Sequence, residues 1–263
     1  MTDHSATAAT TSQPLADALR TATAAGAPLD AALWPHALTA DEIIALHQLR
    51  AAEWGDRAHA PKYWKSGGVS RSQPLGHAPL PPQGVVLAGA SGADLRSQPF
   101  MLRGIEAEIA LRIGQDVDAD LAAQLDEWSA ASLIDAMAVS VEVVDSRWLQ
   151  QLQAPDALKA ADLLCHGALA LGAWQAYTPR DWAQQSCTVR IGQQALVQRQ
   201  GSHSLQDPAW LLSAWLRYAT QHFGIVRAGS VVTTGSWVGL LMAQAGDTVE
   251  ATFDGVGQLH VQL

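Results

Sequence analysis

The chain has 263 residues, 48% hydrophobic and 16% charged, with a net charge of -9 and 16 Lys and Arg. Charge this far below the average of about 25% excludes a disordered chain, and the lack of any basic run excludes nucleic acid as a partner. Two cysteines, Cys165 and Cys187, are too few for a disulfide scaffold, no apolar run reaches the ~18 residues of a membrane span, and no signal core opens the chain.

A cytoplasmic protein without membrane contact is therefore the expectation. In chain order, residues 1–13 are small and polar and predict a flexible tail. Helices are expected over 15–25 and after Thr39-Ala-Asp-Glu42, a capping-box pattern ahead of Ile43, Ile44, Leu46 and Leu49. Residues 58–83 turn to Gly, Ser, Pro and aromatic residues, which predicts a long irregular loop with short strands. Beyond it, GIEAEIALRIG and MAVSVEVVDSRW read as strands separated by the helix-like DADLAAQLDEWSAASLIDA.

The remaining sequence is β-rich. CTVRIGQQALVQ, SVVTTGSW and DTVEATFDGVGQLHVQL predict antiparallel hairpins, with residues 255–258 a turn rather than a phosphate loop. One helix is expected between them, with Asp207 as N-cap, Pro208 at the first position, an apolar face through Leu211, Leu212, Trp215 and Leu216, and Gly224 as the stop. The fold class is α+β: a small helical N-terminal part and a mostly antiparallel β domain.

The chemistry is concentrated in carboxylates. Glu106 and Glu108 in GIEAEIAL share one face of their strand, about 6 to 7 Å apart along the chain. A solvent-facing edge would explain them, with Ile105, Ala107 and Ile109 filling the buried face. Glu142 is different, because it lies in an apolar run with Val139, Val141, Val143 and Val144 that predicts a strand buried on both faces. A carboxylate there needs a partner. A salt bridge to Arg147 or Arg103 is one solution, and three carboxylates around Mg²⁺ or Mn²⁺ is another.

GIEAEIALRIG, VSVEVVDSRW and GSVVTTGSWVG followed by AGDTVEATFDGVGQLHVQL resemble, in that order, the 2-keto-4-pentenoate hydratase group of the fumarylacetoacetate hydrolase superfamily, which includes 4-oxalocrotonate decarboxylases. The resemblance extends over most of the chain. It implies a mixed β-sandwich roll, with a tail at 1–13, a helical part and active-site loop at 14–83, and a β-rich catalytic domain at 84–263. It implies Glu106, Glu108 and Glu142 as ligands of Mg²⁺ or Mn²⁺. It further implies Lys65 in YWKSGGVS and Asp162 in AADLLCHG as proton-transfer residues, and Ser70, Gly235 and Ser236 as substrate-binding positions.

From the residues alone, Lys65 reads equally as a loop lysine in water, Asp162 as a turn or N-cap residue, and the Gly235 segment as a tight strand end. The aromatic neighbours of Lys65 suggest a lowered pKa. Leu163 stands where the family has asparagine, Cys165 and His166 replace small residues, and Tyr63-Trp64 precede the lysine. No His-x-x-Glu precedes Glu106, which turns the expectation away from the carbon–carbon hydrolases of the superfamily. No pair of histidines has metal-ligand spacing, so an all-oxygen site is expected.

The activity implied is hydration of a 2-hydroxy-dienoate or 2-oxo-enoate in aromatic-compound degradation. The alternatives are decarboxylation of a 4-oxalocrotonate-like 2-oxo diacid, or a non-catalytic partner subunit of such an enzyme. Expected partners are the small 2-oxo acid, further copies of the chain in a homo-oligomer, and a pathway enzyme.

Overall fold

In the computed structural model, residues 4–54 and 59–263 are described, with side chains from Ser12 onward. The helices are α1 (His4–Ala25), α2 (Ala40–Ala51), α3 (Ala119–Gln124), α4 (Glu127–Ala131), α5 (Asp156–Ala161) and α6 (Leu212–Phe223). The strands begin with β1 (Tyr63–Gly67), β2 (Gly76–Leu80), β3 (Val85–Leu87), β4 (Ala93–Asp94), β5 (Gly104–Ile113), β6 (Ile134–Val144) and β7 (His166–Leu171). They continue with β8 (Gln175–Ala176), β9 (Ser186–Ile191), β10 (Val197–Gln200), β11 (Val231–Thr233), β12 (Leu241–Met242), β13 (Thr248–Phe253) and β14 (Gly257–Gln262).

Helix α1 starts inside the segment expected as a tail and runs through Pro14, whose missing N–H takes one bond out of its ladder. Residues 1–3 of that segment lie outside the described residues. Helix α2 opens with the expected capping box. Thr39 Oγ1 accepts from the Glu42 N–H at 3.2 Å, and Glu42 Oε2 accepts from the Thr39 N–H at 2.8 Å. Leu15, Leu19 and Leu46 pack with Trp148, Leu158 and Ala161 in a small core of their own, docking the N-terminal helices near α5.

The architecture is the expected α+β one, with two sheets face to face. A nine-stranded sheet has the order β2-β1-β11-β5-β6-β7-β3, with β12 added to β5 and β8 to β6; a five-stranded sheet has the order β10-β9-β13-β14-β4. Ile105, Ala107 and Ile109 of β5 and Val139, Val141 and Val143 of β6 join Val189, Ala251 and Leu259 of the smaller sheet in one core. The period of two then turns Glu106, Glu108 and Glu142 to the far face of the large sheet.

Strands β1 and β2 lie within the region expected as an irregular loop, yet they are built into the large sheet. β1 pairs in parallel with β11, Lys65 opposite Thr233, so residues on either side of the expected 83/84 division share one sheet. Trp64 points to the core, where it meets Trp215 and Phe223 edge-on, and Lys65 points to the carboxylate face. Trp64 therefore lies on the face of β1 away from the carboxylates.

Helix α6 starts at Leu212, with Leu211 rather than Asp207 at the cap. Asp207 Oδ1 accepts from the Ala209 N–H at 2.7 Å, a local turn that competes with helix formation and delays it. Gly224 ends the helix at φ 92, as expected. The stretch between β5 and β6 divides into α3 and α4, capped by Asp118 and Asp126. Among the described residues no helix is long and apolar enough to cross a membrane.

Candidate metal centre

In the antiparallel β5–β6 ladder, Glu106 is the direct partner of Glu142, and Glu108 is opposite Ser140. Carboxylate oxygens of Glu106, Glu108 and Glu142 lie within 4.8 Å of one another. Glu108 is 2% exposed and Glu142 fully buried, which overturns the solvent-edge reading, while Glu106 is partly exposed.

Each buried carboxylate is anchored through one oxygen. Glu142 Oε1 accepts from Lys65 Nζ at 2.6 Å and from His166 Nδ1 at 2.9 Å, while its Oε2 is buried without a partner among the described residues. Glu108 Oε2 accepts from Thr233 Oγ1 and from the Gly235 N–H at 2.9 Å, and Thr233 Oγ1 in turn meets Ser140 Oγ at 3.0 Å. The partner of Glu142 is thus Lys65 rather than Arg147 or Arg103. Arg147 pairs with Asp162 and Asp145, and Arg103 bonds the Phe100 carbonyl.

Burial raises Glu108 to about 8, with Glu142 and Glu106 adding like charge. Burial also raises Glu106 to about 7, against the pull of Lys65. Glu142 goes the other way, because Lys65 and His166 outweigh the cost of its burial. Burial would lower Lys65, yet Glu142, Glu106 and Glu108 together raise it, so the expected lowered lysine pKa is corrected: the ammonium is held charged.

The donor set fits a divalent cation. When all three are ionised, three carboxylates against one ammonium leave a formal charge of -2 in a largely buried site, and Glu142 Oε2 has its lone pairs free. Hard carboxylate oxygens are the ligands that Mg²⁺, Mn²⁺ and Ca²⁺ take. These three residues form a site that can hold such an ion, as expected from the sequence.

The other expected residues divide. Lys65 and Gly235 are in the cluster. Ser70 meets Ser72 at 3.0 Å within its own loop, and Ser236 closes its own turn by donating to the Gly239 carbonyl at 2.8 Å. Asp162 has both oxygens on Arg147, Oδ1 accepting from Nε at 2.7 Å and Oδ2 from the backbone N–H at 3.0 Å. After it, Leu163, Leu164 and Cys165 all take positive φ of 51, 55 and 60, a left-handed turn that brings the Leu164 carbonyl to 3.1 Å from Lys65 Nζ and starts β7 at His166.

Three supporting residues escaped sequence reasoning. Ser140 and Thr233 carry a weak signal, since both are polar residues inside apolar strand runs. His166 shows only as a departure from the family pattern, and nothing in Leu-Leu-Cys announces the turn that aims it.

The family described as "Fumarylacetoacetate (FAA) hydrolase C-terminal" matches residues 52–263. No curated protein matches the sequence. Among solved structures, the chain is similar to 4-oxalocrotonate decarboxylase from Pseudomonas putida G7 complexed with magnesium and adipate, at TM-score 0.78 and 16% identity over 95% of each chain. The same decarboxylase complexed with calcium and acetate gives TM-score 0.76 and 15% identity over 95% of each chain. The 2-hydroxyhepta-2,4-diene-1,7-dioate isomerase from Mycobacterium marinum gives TM-score 0.56 and 18% identity, over 77% of this chain and 74% of that one. At these identities the likeness is one of fold.

Proposed function

The chain belongs to the fumarylacetoacetate hydrolase family, and we propose that it is a divalent-metal-dependent hydratase adding water to a 2-hydroxy-dienoate or 2-oxo-enoate of the 2-keto-4-pentenoate type. The observation that carries this reading is the convergence of Glu106, Glu108 and Glu142 within 4.8 Å, with Lys65 bonded to Glu142. When bound there, Mg²⁺ or Mn²⁺ supplies Lewis-acid stabilisation of the negative charge that develops on the substrate 2-oxygen.

The chain's own groups account for the rest. Glu106, Glu108 and Glu142 would hold the ion, and the bonds to Glu142 Oε1 and Glu108 Oε2 fix one oxygen of each while the other is left to bind it. Lys65, held charged, has three N–H donors and spends two on Glu142 Oε1 and the Leu164 carbonyl. The third is available to pair with a substrate carboxylate or to deliver a proton to the substrate carbon chain. Asp162, engaged on both oxygens by Arg147, acts in this reading by holding the turn that carries Leu164 rather than by exchanging protons. Assembly into a homo-oligomer is part of the same proposal, and sedimentation as a monomer would remove it.

A second reading is decarboxylation of a 4-oxalocrotonate-like 2-oxo diacid. It is favoured by the likeness to the Pseudomonas decarboxylase over 95% of both chains, where the isomerase likeness stops at 77% of this one. Both reactions need the same cage, because both develop charge on the 2-oxygen.

The test is an assay of pure protein on 2-hydroxypenta-2,4-dienoate and on 2-oxohex-3-enedioate, with Mg²⁺ or with chelator, products identified by mass. Metal-dependent gain of water is the expected result. Metal-dependent loss of carbon dioxide would replace it with the second reading, and no turnover of either would leave a partner subunit as the role.

A further inference from the structure

His166 replaces a small residue of the family pattern, and its ring is fully buried against a metal-site carboxylate. A carboxylate only accepts, so the 2.9 Å contact with Glu142 Oε1 requires the proton on Nδ1. The other nitrogen, Nε2, is buried without a partner among the described residues, facing Gly84, where even a Cβ would come to 3.8 Å of it. The protein thus encloses a ring nitrogen that has no hydrogen bond of its own. What the ring gains in return is its Nδ1 bond to Glu142.

Two donors share Glu142 Oε1, and they differ in freedom. His166 is the first residue of β7, registered against Val144 and fixed by the left-handed turn before it, with an imidazole that has two rotatable bonds and no exposure. Lys65 reaches the same oxygen on a long stem that is 15% exposed. When the third N–H of Lys65 engages a substrate its bond to Oε1 is drawn off line, and without a second donor the carboxylate would then be free to turn.

We infer that His166 is the fixed positioning residue of the metal site: its Nδ1–H locks Glu142 so that Oε2 stays turned to the ion, and this releases Lys65 to act on substrate. The inference rests on the metal-cage reading of Glu106, Glu108 and Glu142. It differs from it in making the aim of Glu142, and so metal affinity, independent of Lys65.

The experiment is a titration of metal-stripped full-length protein with Mn²⁺, read by the electron paramagnetic resonance signal of the free ion. It compares wild type with His166→Leu, which fills the space without a donor, His166→Asn, which restores an N–H near the Nδ1 position, and Lys65→Met. Loss of a hydrogen bond to a metal-binding carboxylate weakens affinity about 10- to 100-fold, which is the result expected for His166→Leu. His166→Asn is expected to recover most of that loss, and Lys65→Met to bind Mn²⁺ no more weakly than wild type. Unchanged affinity in His166→Leu, an Asn variant as weak as the Leu variant, or a Lys65→Met loss as large as that of His166→Leu would each overturn the inference. Wild type that binds no Mn²⁺ would overturn the cage and the inference with it. Should the Leu variant fail to fold, ¹⁵N-detected imidazole spectra of wild type decide: protonation of His166 at Nδ1 is expected, and protonation at Nε2 alone overturns it.

Discussion

Glu106 and Glu142 face one another directly across the β5–β6 ladder, a position where sheets favour opposite charges and like charges destabilise. Burial, with this like charge added to it, raises Glu106 and Glu108 to about 7 and about 8 from an ordinary 4.5. Between those limits these two groups hold protons in the folded metal-free protein that the unfolded chain has released, so their contribution to stability falls as pH rises from about 4.5 to about 8. A divalent cation displaces those protons. Melting curves with chelator and with Mg²⁺ across this range should show a metal-induced gain in Tm that grows with pH; a gain independent of pH would contradict the clustering.

Glu108→Gln should separate stability from function. The amide oxygen can still accept from Thr233 and from the Gly235 N–H, while one of three crowded negative charges is removed. Relief of charge crowding of this kind contributes about 0.5–2 kcal/mol, and each kcal/mol moves Tm by about 2–4 °C in a chain of this size. The metal-free variant should melt above wild type at pH 8 and show no metal-dependent turnover. An unchanged rate would contradict the cage.

Asp162 and Arg147 form a buried pair, Oδ1 to Nε at 2.7 Å, that ties the end of β6 to the turn carrying Leu164. Removing one partner of such a pair costs about 3–5 kcal/mol. Asp162→Ala is expected to lose that much in denaturant unfolding. A variant as stable as wild type but with an altered pH–rate profile would return Asp162 to proton transfer.

How much of this was legible in the sequence follows the physics of each element. The alternation in β5 displays its two faces, and the position of Glu142 in an apolar run signals a compensated charge, so the three carboxylates could be read together. The capping box of α2 is legible because it is a local hydrogen-bond pattern. The contact of Lys65 with Glu142 crosses two intervening strands, β11 and β5, and depends on sheet order that no local pattern encodes. The left-handed run at 163–165 uses ordinary residues, without the Gly or Asn that would mark it. Asp207 looked like a helix cap because the same side-chain bond serves a turn.

Gly235 tests the support of Glu108. Its φ of 103 is one that side chains rarely adopt, a Cβ would lie 3.6 Å from His203 Nε2, and its N–H holds Glu108 Oε2. Gly235→Ala should cost about 1–3 kcal/mol through backbone strain and weaken Mn²⁺ binding as the N–H moves. Wild-type metal affinity in a folded variant would contradict the role of this anchor.

The most direct test of the metal centre is anomalous diffraction from crystals grown with Mn²⁺. One peak bonded by oxygens of Glu106, Glu108 and Glu142, at roughly the 2.0–2.6 Å of hard-cation coordination, is the predicted result. A peak elsewhere, or none at saturating Mn²⁺ with the three carboxylates still clustered, would contradict the account.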